Sequence, residues 1–246
     1  MSKIITVFGA TGKQGGSIIR AILADAILSK EFKIRGVTRN VSGPTAQSLA
    51  AQGIEMKAVR NTMYSAINEY LIRRAQADTT DKASLPGVLR GSHTVFLMTM
   101  QNWGKGGPDA ELNDGKNVVD AAKEVGVEHL IFSSLIHVAD STDGRLKNVP
   151  HFDQKAEIER YIRTTGLPST FILPAYFMSN FVPPVGLLRK GEDGVYTLAF
   201  PFGKEVMVPL IDIEEDMGKL AKKEKIKRKT STRLDPNIST RQIRGC

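Results

Sequence analysis

The sequence predicts an α/β protein built on a doubly wound parallel sheet, and three observations predict it. Along residues 1–170, β-branched apolar runs of strand length alternate with segments of helical apolar spacing. A glycine-rich turn, "GATGKQGG", joins the first strand pattern to the first helix pattern. The links between patterns are short, as in repeated strand–helix–strand units.

Taken in order, "KIITVF" (3–8) is a buried strand and "SIIRAILADAIL" (17–28) a helix. "FKIRGVTR" (32–39) is the second strand, and "GPTAQSLAAQG" (43–53) a helix opened by Pro44 and closed at Gly53. "IEMKAV" (54–59) and "HTVFLMTM" (93–100) are the third and fourth strands, and 109–126 is a helix ended by Gly126. "HLIFSSLI" (129–136) follows as a strand, 152–164 as a helix and "STFILP" (169–174) as the sixth strand. Two stretches break the rhythm. In residues 58–74, Met63, Ile67, Tyr70 and Leu71 fall at helical spacing and predict an amphipathic helix. After Leu220 apolar residues almost vanish and no period remains, so that stretch is expected to be disordered or frayed.

Composition bounds the function. The chain has 246 residues, 41% hydrophobic and 24% charged, the balance of an ordinary globular protein with a sizeable core. No run approaches the ~20 apolar residues of a membrane span, so no membrane partner is expected. The start, "MSKIITVFGATG", runs into a strand and glycine turn rather than an apolar leader with a cleavage site. Cys246 is the single cysteine, which excludes an intrachain disulfide and points to a reducing compartment, cytoplasm or nucleus. The formal charge of +8 belongs to residues 219–246, which carry ten Lys/Arg against two acids, while the other 218 residues hold 24 of each sign.

The glycine turn carries the strongest functional signal. Gly9 permits the tight turn, Gly12 lets backbone approach a pyrophosphate, and Gly15 lets helix and strand pack closely. The helix then presents its N-terminal N–H groups to the phosphates. A glycine pattern alone is weak, but here strand, turn, helix and second strand fall in register within ~30 residues. The second strand ends on Thr38, Arg39 and Asn40. An acid there would bond the ribose 2′-hydroxyl of NAD, whereas Arg39 suits the 2′-phosphate of NADP(H), the favoured cofactor.

"VFGATGKQGGS", "VTRN", "ADTTDKASL", "HLIFSSL", "PHFDQKAEIERYIRTTGLPSTFILPAYFMSNF" and "DGVYTLAFP" together resemble the NmrA-like family, a branch of the atypical short-chain dehydrogenase/reductases. The resemblance covers most of residues 3–218. It implies a Rossmann-like domain over 1–170, a small C-terminal lobe beginning at 171–218, and NADP(H) binding. By match to the motifs, Gly9, Thr11, Gly12, Lys13, Gln14, Gly15, Arg39, Asp78, Thr99, Lys155, Pro174, Tyr176 and Phe177 would line the cofactor. It further implies either a redox-responsive regulator acting on a protein partner such as a transcription factor, or an oxidoreductase on a small-molecule substrate. Two departures stand out. Residues 58–74 look inserted, and a basic tail, 219–246, replaces the rest of the second lobe, leaving that lobe incomplete. Both begin where codons could carry a splice donor, which suggests translated intron sequence.

In classical members of the wider superfamily a Tyr four residues before the Lys donates a proton, the Lys binds the ribose and a Ser polarises the carbonyl. This chain has Lys155 and Ser133 or Ser134, but His151 in the tyrosine position. Lys155, His151 and Ser134 are therefore the candidate catalytic residues. The favoured reading is plainer: His151 starts a helix and Lys155 bonds ribose hydroxyls. Trp103, in a Gly-rich loop after the fourth strand, either roofs the cofactor or packs its own loop. His129 and His137 are packed or surface residues, and no Cys/His/Asp cluster has metal spacing. The tail "KLAKKEKIKRK" could be a nuclear-localisation or nucleic-acid segment, but no groove-reading motif accompanies it and direct nucleic-acid binding is disfavoured. The readings, in order, are a redox-state-responsive NADP(H)-binding regulator, an NADPH-dependent oxidoreductase on a small carbonyl or conjugated alkene, and a nucleic-acid module.

Overall fold

A computed structural model describes residues 2–60, 77–101, 107–200, 203, 205–226 and the backbone of 240–244. Nearly all of the expected insertion, and Trp103, lie outside these residues; Ala58 to Arg60 simply end a strand.

The sheet has eight strands: β1 (Lys3–Phe8), β2 (Phe32–Thr38), β3 (Glu55–Arg60), β4 (Ala77–Asp78), β5 (Ser92–Leu97), β6 (His129–Ser133), β7 (Ser169–Leu173) and β12 (Thr240–Arg244). Their order is β12-β7-β6-β5-β1-β2-β3-β4, and every pairing is parallel. The chain winds outward from β1 in one direction and restarts at β5 in the other. The carboxyl ends of β1 and β5 therefore flank the switch point, where a crevice opens.

The helices explain why the strands read as continuous apolar runs. On one face lie α1 (Lys13–Leu23), α2 (Leu28–Glu31), α3 (Pro44–Ala51) and α8 (Ile213–Ile226). On the other lie α4 (Pro86–Leu89), α5 (Ala110–Glu124) and α7 (Pro150–Thr164), with the short α6 (Val138–Ser141) beside α7. Successive strand residues feed opposite cores: Ile131 packs with α1's Ile18 and Ile22, while Leu130 and Phe132 pack with α7's Ile158 and Ile162. Each such side chain, fully buried, contributes about 1.5–3 kcal/mol of transfer free energy.

Beyond β7 the chain forms a thinner layer. β8 (Tyr176–Phe177) pairs in parallel with β11 (Leu210–Ile211), and β9 (Leu188–Lys190) pairs antiparallel with β10 (Tyr196–Leu198). Leu188, Tyr196, Leu198 and Met207 are exposed here, Met207 at 93%. Among the described residues no helix is long and apolar enough to cross a membrane.

The expectation of disorder after Leu220 needs correcting at both ends of the tail. α8 continues through Ile226, and Thr240–Arg244 form the sheet's edge strand. Ile213, Met217 and Ala221, four residues apart, are buried against α1, so a helical period does persist across the composition change. Gly218 permits the contact, because a Cβ there would sit 2.3 Å from the Ser17 carbonyl oxygen. Lys and Glu are also good helix formers, so a basic composition does not oppose the helix.

Candidate functional site

The turn after β1 is made almost wholly of backbone. Gly9 has φ +68°, the left-handed region, and its carbonyl accepts from Gly12 N–H at 2.8 Å. Ala10 N–H donates to Val37 O (3.0 Å) and the Thr11 and Thr38 hydroxyls meet at 2.9 Å, latching the turn to the end of β2. A Cβ on Gly15 would lie 2.2 Å from Gly9 O, so only glycine lets α1 start so close to the turn. Gly12 is the extended N-cap residue and makes no side-chain cap bond, and no acid stands in the first helical turn. The N-terminal N–H groups of α1 are thus left to face an anion.

Around this turn opens a cleft of about 320 Å³, within the usual range for a ligand pocket. Gly9, Thr11, Gly12, Lys13, Gln14 and Gly15 line one end, with Arg39, exposed, at the lip. Val59, Thr79, Asp114 and Val118 form a wall. Leu97, Met98, Thr99 and Met100, leaving β5, line the other end together with Phe177 from the second layer. Gln14 Oε1 is buried without a partner among the described residues.

Nine of the residues singled out by sequence thus surround one cleft; the others are placed differently. The Asp78 carboxylate accepts from Thr80 N–H (3.0 Å) and hydroxyl (2.9 Å), capping its own turn, and Thr79 takes the lining position. The Tyr176 ring packs on Phe181 and Phe200, each at 5.9 Å between centroids. Pro174, between β7 and β8, is half-buried. Ser134 is fully buried: its N–H donates to Ile172 O (2.9 Å) and its hydroxyl to Leu135 O (3.4 Å), so it is sealed beneath the sheet's end rather than facing a substrate. Ser133 is 3% exposed and likewise interior. His151 follows Pro150 in the first turn of α7, its ring edge-on to Phe152 with centroids 4.9 Å apart.

Lys155 lies directly behind Thr99. Its Nζ donates to Thr99 O (2.7 Å), to Thr99 Oγ1 (2.9 Å) and to Glu111 Oε1. Thr99 Oγ1 donates to the same Glu111 oxygen at 2.6 Å. Burial pushes the Lys155 ammonium below the ordinary lysine value, and the Glu111 carboxylate pulls it partly back. Sequence reading missed Glu111, Asp114 and Thr79. For the two acids a signal existed: in "DAELNDGKNVV", positions 111, 114, 115 and 118 share one helical face, and charged residues on a buried stripe call for partners.

A glycine cradle at the switch point of a parallel sheet, under an uncapped helix, defines a Rossmann-like α/β protein. The sequence model of the NmrA-like family matches residues 1–233, and the chain belongs to that family. Among curated relatives, the NmrA-like family domain-containing oxidoreductase lnaB of Aspergillus flavus is 32% identical over 230 residues, covering 88% of this chain and 62% of its own length. The chain therefore spans less than two thirds of that relative. Among solved structures, NmrA, a negative transcriptional regulator, in complex with NADP shows the same fold at 24% identity and TM-score 0.74, covering 99% of this chain and 66% of that one. The triphenylmethane reductase of Citrobacter sp. complexed with NADP(H) is 25% identical with TM-score 0.55, over 74% of this chain and 52% of its own.

Proposed function

We propose that this chain binds NADP(H) in the cleft, and that the bound dinucleotide is a ligand whose redox state a protein partner, such as a transcription factor, reads. The observation that carries the proposal is the pairing of the glycine cradle with Arg39 at its lip. Gly15 leaves no room for a side chain, the first turn of α1 lacks a capping side chain, and Gln14 Oε1 is buried without a partner among the described residues. All three fit a pyrophosphate and its ribose at that end. Arg39, in the place where NAD-selective sites hold an acid, favours the extra phosphate. The regulator reading draws support from the candidate catalytic residues, none of which is among the residues lining the cleft. Lys155 is engaged by Glu111 and Thr99, Ser134 is sealed, and a histidine stands where a tyrosine would donate a proton.

A second reading is favoured by the names of relatives, which include an oxidoreductase and a reductase. In it the chain is an NADPH-dependent oxidoreductase on a small carbonyl or conjugated alkene. The cofactor, when bound, supplies hydride. The chain's own part would be to orient it through the cradle and Arg39, and to hold a proton at Lys155 Nζ behind Thr99. Single-turnover oxidation of NADPH against an aldehyde, a para-quinone and a triphenylmethane dye cation separates the readings, in wild type and in Lys155→Ala. Micromolar or tighter NADPH binding without turnover is the regulator's signature. Turnover that Lys155→Ala reduces at least about tenfold establishes the enzyme. Failure of wild type to bind NADPH refutes both.

A further inference from the structure

The contact between α5 and α7 is built to bring one carboxylate to one ammonium. Gln154 Oε1 accepts Leu112 N–H at 3.1 Å, one of the donors that the first turn of α5 leaves open, and so pins the start of α5 to α7. One turn along, Gly115 admits Ile158, since a Cβ there would lie 2.5 Å from Ile158 Cδ1. Beside the first of these fixings, Glu111 meets Lys155. The Glu111 side chain is 0% exposed and that of Lys155 16%. Glu111 Oε1 takes both Lys155 and the Thr99 hydroxyl, and Oε2 has no hydrogen-bond partner among the described residues. Burying a carboxylate this deeply without a role is costly, and a pair of apolar residues would fill the same space more cheaply.

We propose that Glu111 is the positioning residue for Lys155, holding its ammonium charged and fixed against Thr99, at the edge of the cleft. The inference rests on the reading that the cleft binds NADP(H). Thr99 lines that cleft and Lys155 stands immediately behind it, so the charge on Nζ acts across one residue on an anionic ligand. The other titratable groups near Lys155 have their own engagements. On its own helix, Asp153 Oδ1 accepts Val138 N–H at 2.6 Å, His151 packs on Phe152, and Glu159 pairs with Arg163. On α6 and the residue before it, His137 stands 3.4 Å from Asp140, 3.6 Å from Asp153 and 3.2 Å from Glu157, and Asp140 also pairs with Arg160. On α5, Asp114 lines the cleft and Asp120 bonds Tyr161 and Lys82. On the strands, His129 bonds Thr170 at the opposite end of the sheet. Among the described residues, Glu111 is thus the carboxylate that touches Nζ.

The sign follows from the two opposing effects on Lys155. Burial favours the neutral amine, and Glu111 opposes it. Dinucleotide affinity should therefore fall as pH rises through the lysine's value, and removing the Glu111 charge should bring that fall to lower pH. The test is NADPH affinity by fluorescence titration between pH 6 and pH 10. Glu111→Gln, which keeps shape and one acceptor oxygen, should move the alkaline limb down by about one pH unit or more. Glu111→Asp should keep the limb near its wild-type position, and Lys155→Met should abolish it. An unmoved limb in Glu111→Gln overturns the proposal, as does a limb that survives in Lys155→Met. If Glu111→Gln does not fold, Glu111→Gln/Lys155→Met takes its place, with both members of the pair replaced. Its affinity should match Lys155→Met within about twofold, and a much weaker value shows that Glu111 acts by another route. Absence of NADPH binding by wild type at every pH would refute the binding reading itself, a result no limb shift can mimic.

Discussion

The two ends of the cleft are built from different materials. The glycine end is backbone: a left-handed Gly9, a Gly12 N–H bonded to Gly9 O, and a helix start fitted against the turn at Gly15. The lysine end is side chains brought from three elements, Thr99 after β5, Glu111 on α5 and Lys155 on α7. Backbone geometry has few allowed solutions, so the first end should tolerate no added atom. Side-chain geometry has conservative substitutes, so the second should respond by degrees.

Gly15→Ala gives the largest contrast. Its Cβ would meet Gly9 O at 2.2 Å and Ala10 N at 2.9 Å, both backbone atoms that cannot rotate away. We expect a stability loss of about 1–3 kcal/mol, as for other overpacked sites, and NADPH affinity reduced on the order of a hundredfold. Glu111→Gln at the other end should leave acid-side affinity within about threefold and move only its pH dependence. If Gly15→Ala binds normally, the difference between the two ends disappears.

Arg39→Glu comes next. Arg39 lies at the exposed lip of the glycine end and should affect selectivity without disturbing the turn. Loss of a charge-assisted bond to the 2′-phosphate, about 1.5–3 kcal/mol, predicts roughly a 10- to 100-fold weaker NADPH affinity, with NADH changed far less. Equal losses for both cofactors in a fluorescence titration would remove Arg39 from the site.

The same contrast explains what the sequence made legible. The glycine turn, its strand and its helix are contiguous, so spacing alone places them, and the alternating apolar runs follow from a sheet covered on both faces. Lys155 was legible as a residue but its partners were not, because Thr99 and Glu111 lie 56 and 44 positions away in sequence. Ser134 misled because its position after β6 matches a polarising serine, whereas its burial is decided by packing that no local pattern reports. The α8 helix was obscured by composition: four lysines and four acids make up more than half of it, while its buried apolar stripe is only one residue per turn.

The smallest effect tests how the glycine end is braced from outside. α1, whose N-terminus faces the cleft, is held by α8 through Gly218 N–H to Ser17 Oγ (2.9 Å) and Arg20 Nη2 to Glu214 O (2.7 Å). Just beyond α1, Lys222 Nζ meets Asp25 Oδ2 at 2.5 Å, while Asp25 Oδ1 accepts from Ile27 and Leu28 N–H at 2.9 and 3.0 Å. The Lys222 ammonium, followed by those two N–H groups, lowers the Asp25 carboxyl from 3.8 to about 2. A depressed carboxylate stabilises the fold above its unfolded value and loses that contribution as pH falls through its folded value. Lys222→Ala should therefore lower the thermal midpoint by only about 1–2 °C at pH 7, as expected for a surface pair. The wild-type and variant midpoints should draw together between pH 4 and pH 2, because the lost interaction needs an ionised Asp25. A difference that persists unchanged at pH 2 would mean that Lys222 braces α1 through its apolar stem, which lines a small gap with Ile22 and Leu28, and not through its charge.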